Sequence, residues 1–377
     1  MTEPKLNLFD TALPVSPPLS DEQLAAIPAK RGVLLLEDEG GRPILLLTAA
    51  DIRARLRGRL AEPPPEEGRK KTADLRQITR QILYRLCPGH FETDLTYFEL
   101  ARTIYAGAFK DLLSWRPAWF VQVNPQEKFP HFARTREADG EGLCIGPFES
   151  GHSAQRFIEA LEDLFDLCRD YGCLRQAPTG PACSYLQMGR CLGPCNGTIS
   201  LDGYRQVMAR AAAFAAGDRA AALADLQQRM QQAAAALEFE KASTLKKRLE
   251  RARTFSADEY QHTRPLEQFR YILVQPAASK KHHEVFLCVG GTIVKAAPLD
   301  KIPTEPQLAA TLTAMTDLAN RPRQHLDEAG RYRVGLVTHY LYSSPAKRSV
   351  IIHYRADMTP SDLAAAINEQ LEPAVRA

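Results

Sequence analysis

Five of the chain's eight cysteines, Cys168, Cys173, Cys183, Cys191 and Cys195, fall in one short stretch. That stretch is rich in Gly and Pro and poor in apolar periodicity, so it has no means of burying a core of its own. Something else must hold it, and thiolates around a metal centre would do so, because a structural metal site contributes folding energy directly. The alternative is a set of buried, inert thiols, which are common singly but seldom cluster like this. Spacing leaves the metal open. Cys191 and Cys195 are spaced like a structural zinc pair, with Cys183 set further off, and iron–sulfur clusters tolerate wider intervals.

Disulfides are the other way to hold such a stretch, and composition argues against them. Eight cysteines in 377 residues are too sparse for a small stapled fold. The opening MTEPKLNLFD lacks the basic start and apolar core of a signal peptide, and no run nears the ~18–20 apolar residues that span a bilayer. A cytoplasmic protein with reduced thiols and no membrane partner is expected. Hydrophobic residues at 45% and charged residues at 25% exclude wholesale disorder. A net charge of +3, from 48 basic and 45 acidic residues, does not by itself indicate nucleic acid.

The pattern predicts an α/β (α+β) chain in several parts. Residues 1–28, with Pro14, Pro17, Pro18 and Pro28, read as a loose leader. Residues 29–150 read as a small α/β domain. It begins with the hairpin GVLLLEDEGGRPILLLTA and the helix ADIRARLRGRL, whose Ile52, Leu56 and Leu60 recur every four residues. A polar break, AEPPPEEGRKK, follows. Further helices are expected at Ala73–Leu86 and Asp94–Leu113, and a strand at Trp119–Val123. Residues 151–200 hold a helix from near Ser153 to about Asp170 and the cysteine stretch. Residues 201–256 are helical, with Asp202 and Asp218 as N-caps and Gly217 as a C-cap. Residues 265–377 form a second α/β unit. Its expected strands are Phe269–Val274, Glu284–Val289 and Thr292–Ala296, and its helices Pro306–Leu318 and Pro360–Leu371. His282 and His283 fall in a polar loop.

The stretch CSYLQMGRCLGPCNGTISLDGYRQVMARAAAFAAGD resembles the cysteine region of the UvrC family, the incision subunit of bacterial nucleotide excision repair. The following RMQQAAAALEFEKASTLKKRLERA resembles that family's UVR motif (226–253), a helical hairpin that binds the helicase subunit UvrB. The resemblance runs over roughly residues 30–260. It implies a [4Fe–4S] cluster, with zinc as the alternative, on Cys183, Cys191, Cys195 and a first ligand that is either Cys168 or Cys173. Leu164, Phe165 and Leu167 lead into Cys168 as the family's LF-x-L stretch does. In the UVR-like segment no Gly or Pro marks the hairpin turn. The resemblance alone sets that turn near Glu238–Lys241 and makes Phe239 and Glu240 partner-binding residues.

The N-terminal part resembles a GIY-YIG nuclease domain, with Gly146-Pro147-Phe148 as its exit turn. Arg55 matches the family's phosphate-steadying arginine and Glu99 its glutamate for one divalent metal, but Leu34 and Leu45 replace both motif tyrosines. Leucine neither donates nor accepts a hydrogen bond, so proton transfer has no support there. Leu47, Thr48 and Phe120 depart from the family as well. A degenerate, non-cutting centre is expected, with Glu99 in an ordinary ion pair. Nothing in the last part supplies a spaced Asp/Asp/His set, so the family's second nuclease is expected to be missing too. Arg53, Arg55 and Arg57, and Lys246, Lys247 and Arg248, form two basic strips that either face water or meet DNA phosphates. The expected protein binds DNA or a UvrB-like partner. The alternatives are an active metal-dependent endonuclease and an iron–sulfur adaptor that does not touch DNA.

Overall fold

The structure, a computed structural model, describes residues 8–17, 20–60, 74–138, 141–217, 219–255, 258–322, 325–343 and 349–375. It has the expected mixed α/β character, with helices and antiparallel sheets. The first sheet contains β1 (Thr11–Pro14), β2 (Gly32–Glu37), β3 (Pro43–Ala49) and β4 (Gln81–Leu86), in the order β1-β4-β2-β3. The β2–β3 hairpin closes where Asp38 Oδ1 accepts the backbone N–H groups of Gly40 and Arg42, both at 2.9 Å. Val33 and Leu35 enter one core and Leu34 and Leu36 another, so β2 is buried on both faces. That is why its sequence is continuously apolar instead of alternating. Helix α1 (Ile52–Leu60) covers the Leu34 face and helix α2 (His90–Tyr105) the Val33 face.

Two expectations fail here. The leader is not loose where it is described. Thr11–Pro14 pairs with β4 at the sheet edge, where a proline is tolerated, and Leu24 and Ile27 are fully buried. Residues 1–7 and Pro18 lie outside the described residues. The Ala73–Leu86 helix shrinks to a turn at Leu75–Ile78, and Gln81–Leu86 becomes an inner strand between β1 and β2. A short apolar run such as ILY suits either element, and pairing on both sides decides it. The polar break at 61–71 lies outside the described residues.

A second sheet contains β5 (Trp119–Val123), β6 (Ala133–Thr135), β7 (Leu143–Phe148) and β8 (Arg264–Pro265), in the order β6-β5-β7-β8. Helix α3 (Gly151–Phe165) packs on it, capped where Ser150 accepts from the Ser153 N–H. It stops at Asp166, in the left-handed region with φ 52°, short of the expected Asp170. Val121, Ile145, Phe157, Cys168 and Cys191 share one core with helix α4 (Leu201–Ala216). A boundary at 150 therefore runs through a single packed unit. The N-cap of α4 is Ser200, not Asp202; Asp202 pairs instead with Arg205 at 2.5 Å. Gly217 ends α4 with φ 117°, as expected of a C-cap, and Asp218 lies outside the described residues. Helices α5 (Arg219–Ala235) and α6 (Phe239–Thr254) then fold back on each other.

The last unit is an antiparallel sheet of β9 (Arg270–Pro276), β10 (His282–Val289), β11 (Thr292–Lys295), β12 (Leu299–Asp300) and β13 (Val350–His353). Helices α7 (Glu305–Ala319) and α9 (Pro360–Val375) cover one face, and α8 (Glu328–Leu341) the other. His282 and His283 are not in a loop: they open β10, paired with Asp300 and Leu299. Helices α2 and α8 lie between the first sheet and this one in a shared core. Phe91 meets Phe286 and Tyr340 edge-on at 5.4 and 5.3 Å, and the Tyr340 hydroxyl donates to Asp94 at 2.7 Å. Replacing the fully buried Phe91 by Ala should cost about 3–5 kcal/mol. Chemical denaturation should show both units losing stability together; a loss confined to one unit would contradict a shared core.

Candidate functional site

The cysteine loop starts where α3 ends. The Cys168 backbone N–H donates to the Tyr204 hydroxyl at 3.1 Å, fastening the loop to α4. Cys168 and Cys191 are buried and their thiols hydrogen-bond to each other. The bond from Cys168 pulls Cys191 down to about 6 and holds the remaining proton on Cys168, whose pKa rises. Gly193 donates its N–H to the Cys191 sulfur at 3.4 Å. With φ 70° and Thr198 pressing close, position 193 has no room for a Cβ. Cys195 is fully buried, while Cys173 and Cys183 are partly exposed. The hydrogen bond to Asp170 raises Cys173, with a smaller push from the nearby Cys183 and Cys195 sulfurs, and burial raises Cys195, with a smaller push from Cys183 and Cys191. Cys173 is tied to Asp170, whose carboxylate accepts its backbone N–H at 3.0 Å.

The structure thus brings all five thiols into one loop. Among the described residues, no three His, Cys, Asp or Glu side chains gather tightly enough to hold an ion. The donors suit a thiolate-bound metal group in type, burial and amide support. Their arrangement is a bonded inner pair with three neighbours, not a closed four-sulfur cage.

Arg55 and Glu99 are not brought together. Arg55 is exposed on α1, over one face of the first sheet, and Glu99 sits on α2, over the other. Glu99 accepts from Arg333 at 2.7 Å and from Arg102 at 3.0 Å, an ordinary ion-pair cluster. Leu34 is fully buried beside Leu47, its cross-strand partner, and Leu45 packs against the same core. Phe120 is 2% exposed, pressed against Gly146. Of the first basic strip, Arg53 donates to the Ile27 carbonyl, and Arg57 is exposed with Arg55.

The α5–α6 hairpin turns at 236–238, just before the expected place. Glu238 N–H donates to the Ala233 carbonyl at 2.9 Å and Leu237 N–H to the Ala234 carbonyl at 3.1 Å. These are the two bonds of a Schellman turn, whose left-handed residue is usually glycine. Here it is Leu237, with φ 60°, and its side chain is 71% exposed. Phe239 beside it is 67% exposed, and Glu240 is exposed as well. Below the tip, Lys246 and Lys247 face solvent, whereas Arg248 reaches back to pair with Asp166 at the end of α3.

The family described as UvrC/Cho excinuclease, middle domain, matches residues 118–214, from the start of β5 to the end of α4. The UvrABC system protein C of Moorella thermoacetica is 28% identical over 235 residues, covering 61% of this chain and 37% of that protein. The namesake from Ruminiclostridium cellulolyticum is 28% identical over 240 residues, covering 60% and 37%. That from Acetivibrio thermocellus is 24% identical over 284 residues, covering 72% and 44%. Residues 118–214 thus match the middle domain of UvrC proteins, and about 60–70% of the chain is similar to them. The chain spans well under half the length of these relatives. No solved structure matches it. Among the described residues, no helix is long and apolar enough to cross a membrane.

Leu237 is the feature that sequence reasoning missed. Its place in an apolar seam of Leu223, Leu226, Met230 and Ala233 disguised it, because nothing in a leucine announces a positive φ. An L-residue with a Cβ is strained there by roughly 1–2 kcal/mol. Leu237→Gly should therefore stabilise the hairpin by about 1 kcal/mol. Amide hydrogen exchange in α5 and α6 should slow; faster exchange would mean the leucine supports the turn instead of straining it.

Proposed function

We propose that this chain is a nucleotide excision repair protein of the cytoplasm that binds DNA and a UvrB-like partner without cutting. The observation that carries this reading is the hairpin tip. Two large apolar side chains, Leu237 and Phe239, stand in water on a strained turn, an arrangement that folding alone does not require. A partner hairpin of similar shape would cover them. The first sheet supports a reading without cutting: Leu34 and Leu45 pack in its core, and Glu99 is committed to Arg333, across the sheet from Arg55. Arg55, Arg57, Lys246 and Lys247 are exposed cations available to phosphates.

Within the cysteine loop, Cys168, Cys183, Cys191 and Cys195 are the proposed ligands of a [4Fe–4S] cluster, with zinc as the alternative. The burial of Cys168 and its contact with Cys191 favour it over Cys173, which is partly exposed and held by Asp170. A bound cluster would supply folding energy to a segment with little regular structure. The residues of the chain do the rest: Tyr204 fastens Cys168, Gly193 supports the Cys191 sulfur, and the Asp166–Arg248 pair joins the loop to the hairpin.

Anaerobically purified protein should carry iron and sulfide and absorb broadly in the visible. Cys191→Ala should lose both signals and Cys173→Ala neither. Stoichiometric zinc without iron would replace the cluster by its alternative. DNA binding should be weak and salt-sensitive. Meeting ~3–5 phosphates gives a slope near −3 to −4 for log affinity against log salt. Phe239→Ala should weaken binding to a UvrB-type C-terminal hairpin about tenfold or more and leave DNA affinity unchanged, and Arg55→Ala should do the reverse. No nicking is expected with Mg²⁺ or Mn²⁺. Cleavage that vanishes in Glu99→Ala would overturn the non-cutting reading.

A further inference from the structure

The chain has two tryptophans, and both line the same cleft. Trp115, Pro117 and Trp119 form its floor, the segment by which the first unit enters the second sheet. Gly335 and Thr338 of α8 and Tyr342 just past its end close it, and its volume is about 400 Å³. The walls are held close. Gly335 lies so near the Arg116 carbonyl that a Cβ would fall 2.2 Å from that oxygen. Trp115 is pinned by its indole N–H, which donates to the Tyr332 carbonyl at 3.2 Å. Neither the cysteine loop nor the hairpin uses this cleft.

Its chemistry is specific. The Arg136 guanidinium lies 4.5 Å over the Trp119 ring, and that of Arg134 lies 5.5 Å from it. The Arg136 Nε is buried without a hydrogen-bond partner. A planar cation on an indole, with a donor left over, suits a planar ligand that carries acceptors and negative charge. Arg116 and Arg136 outweigh Glu149 in the lining, which disfavours a cationic ligand. The volume admits one nucleotide and excludes a base-paired duplex.

We propose that this cleft binds a single unpaired nucleotide, its base stacked on the Arg136–Trp119 pair and its phosphate drawn by Arg116. This deepens the DNA-binding reading by naming what enters the cleft. An unpaired nucleotide within a strand and a free mononucleotide offer the same chemistry.

The two tryptophans make the site its own reporter. The full-length protein is titrated with deoxynucleoside monophosphates, with inorganic phosphate, with a duplex bearing one unpaired nucleotide, and with the same duplex fully paired. Tryptophan emission is read in each case, and DNA binding is followed independently by anisotropy. The mononucleotide or the unpaired-nucleotide duplex should change tryptophan emission saturably, while phosphate and the paired duplex should not. Response to the duplex alone places the site on a strand, and response to the mononucleotide places it on free nucleotides. Arg136→Met should weaken the response about tenfold or more, the scale of one lost stacking partner. Arg136→Lys, which keeps the charge but not the plane, should weaken it similarly and guards against a misfolded Met variant. No emission change with any nucleotide, or an equal change with phosphate alone, overturns the cleft. DNA binding that persists in that case leaves the DNA reading standing. A mononucleotide response without DNA binding does the opposite.

Discussion

The structure depends on the aromatic seam between α2 and α8. Phe91, Phe98, Phe286, Tyr332 and Tyr340 interlock there, with Phe98 stacked on Tyr332 at 6.1 Å. Edge-on and stacked contacts of this kind add to a large burial of apolar area. Because α2 is covered by the first sheet on one side and the last unit on the other, the two ends of the chain share a core. Lys295 reinforces the joint by bridging Glu92 at 2.9 Å and Glu284 at 3.0 Å. Glu99, on the side of α2 that faces α8, is held in an ion pair with Arg333.

Elements whose signal is local were legible in the sequence. The β2–β3 hairpin carries its acidic Gly-Gly turn, α1 its four-residue period, and Gly217 its stop. Thiol density alone drew attention to the cysteine loop. Elements decided by distant partners were not legible. QILYRL contains nothing that separates a helical turn from a strand, and only β1 and β2 on either side settle it. The leader likewise looked unstructured because the partner of Thr11–Pro14 lies some seventy residues away, at Gln81–Tyr84. His282 reads as polar loop until Asp300 pairs with it.

The site was legible in composition but not in geometry. Sequence identified Arg55, Glu99 and the cysteines as residue types. It did not reveal that alternate residues of β2 feed two different cores, which puts α1 and α2 on opposite faces. Nor did it reveal that Cys168 is the buried partner of Cys191, since Cys168 and Cys173 are equally close to the expected place along the chain. Leu237 was hidden for a third reason: the turn uses a backbone conformation that its residue type disfavours.

The leucines of the first sheet explain how it persists. Leu34 and Leu47 bury fully or nearly so beneath α1, where a polar group would need a partner, so these leucines stabilise the sheet as a scaffold. That scaffold holds α2, α2 holds the last unit, and the segment after α2 passes through the tryptophan floor into the second sheet. From there Asp166 reaches Arg248, and Ala252 and Phe255 at the foot of the hairpin enter the same core as Cys168 and Cys191. The cysteine loop and the hairpin base are therefore one packed body. The platform that carries Leu237 and Phe239 rests on the same core as the thiols, although the tip lies outside that core.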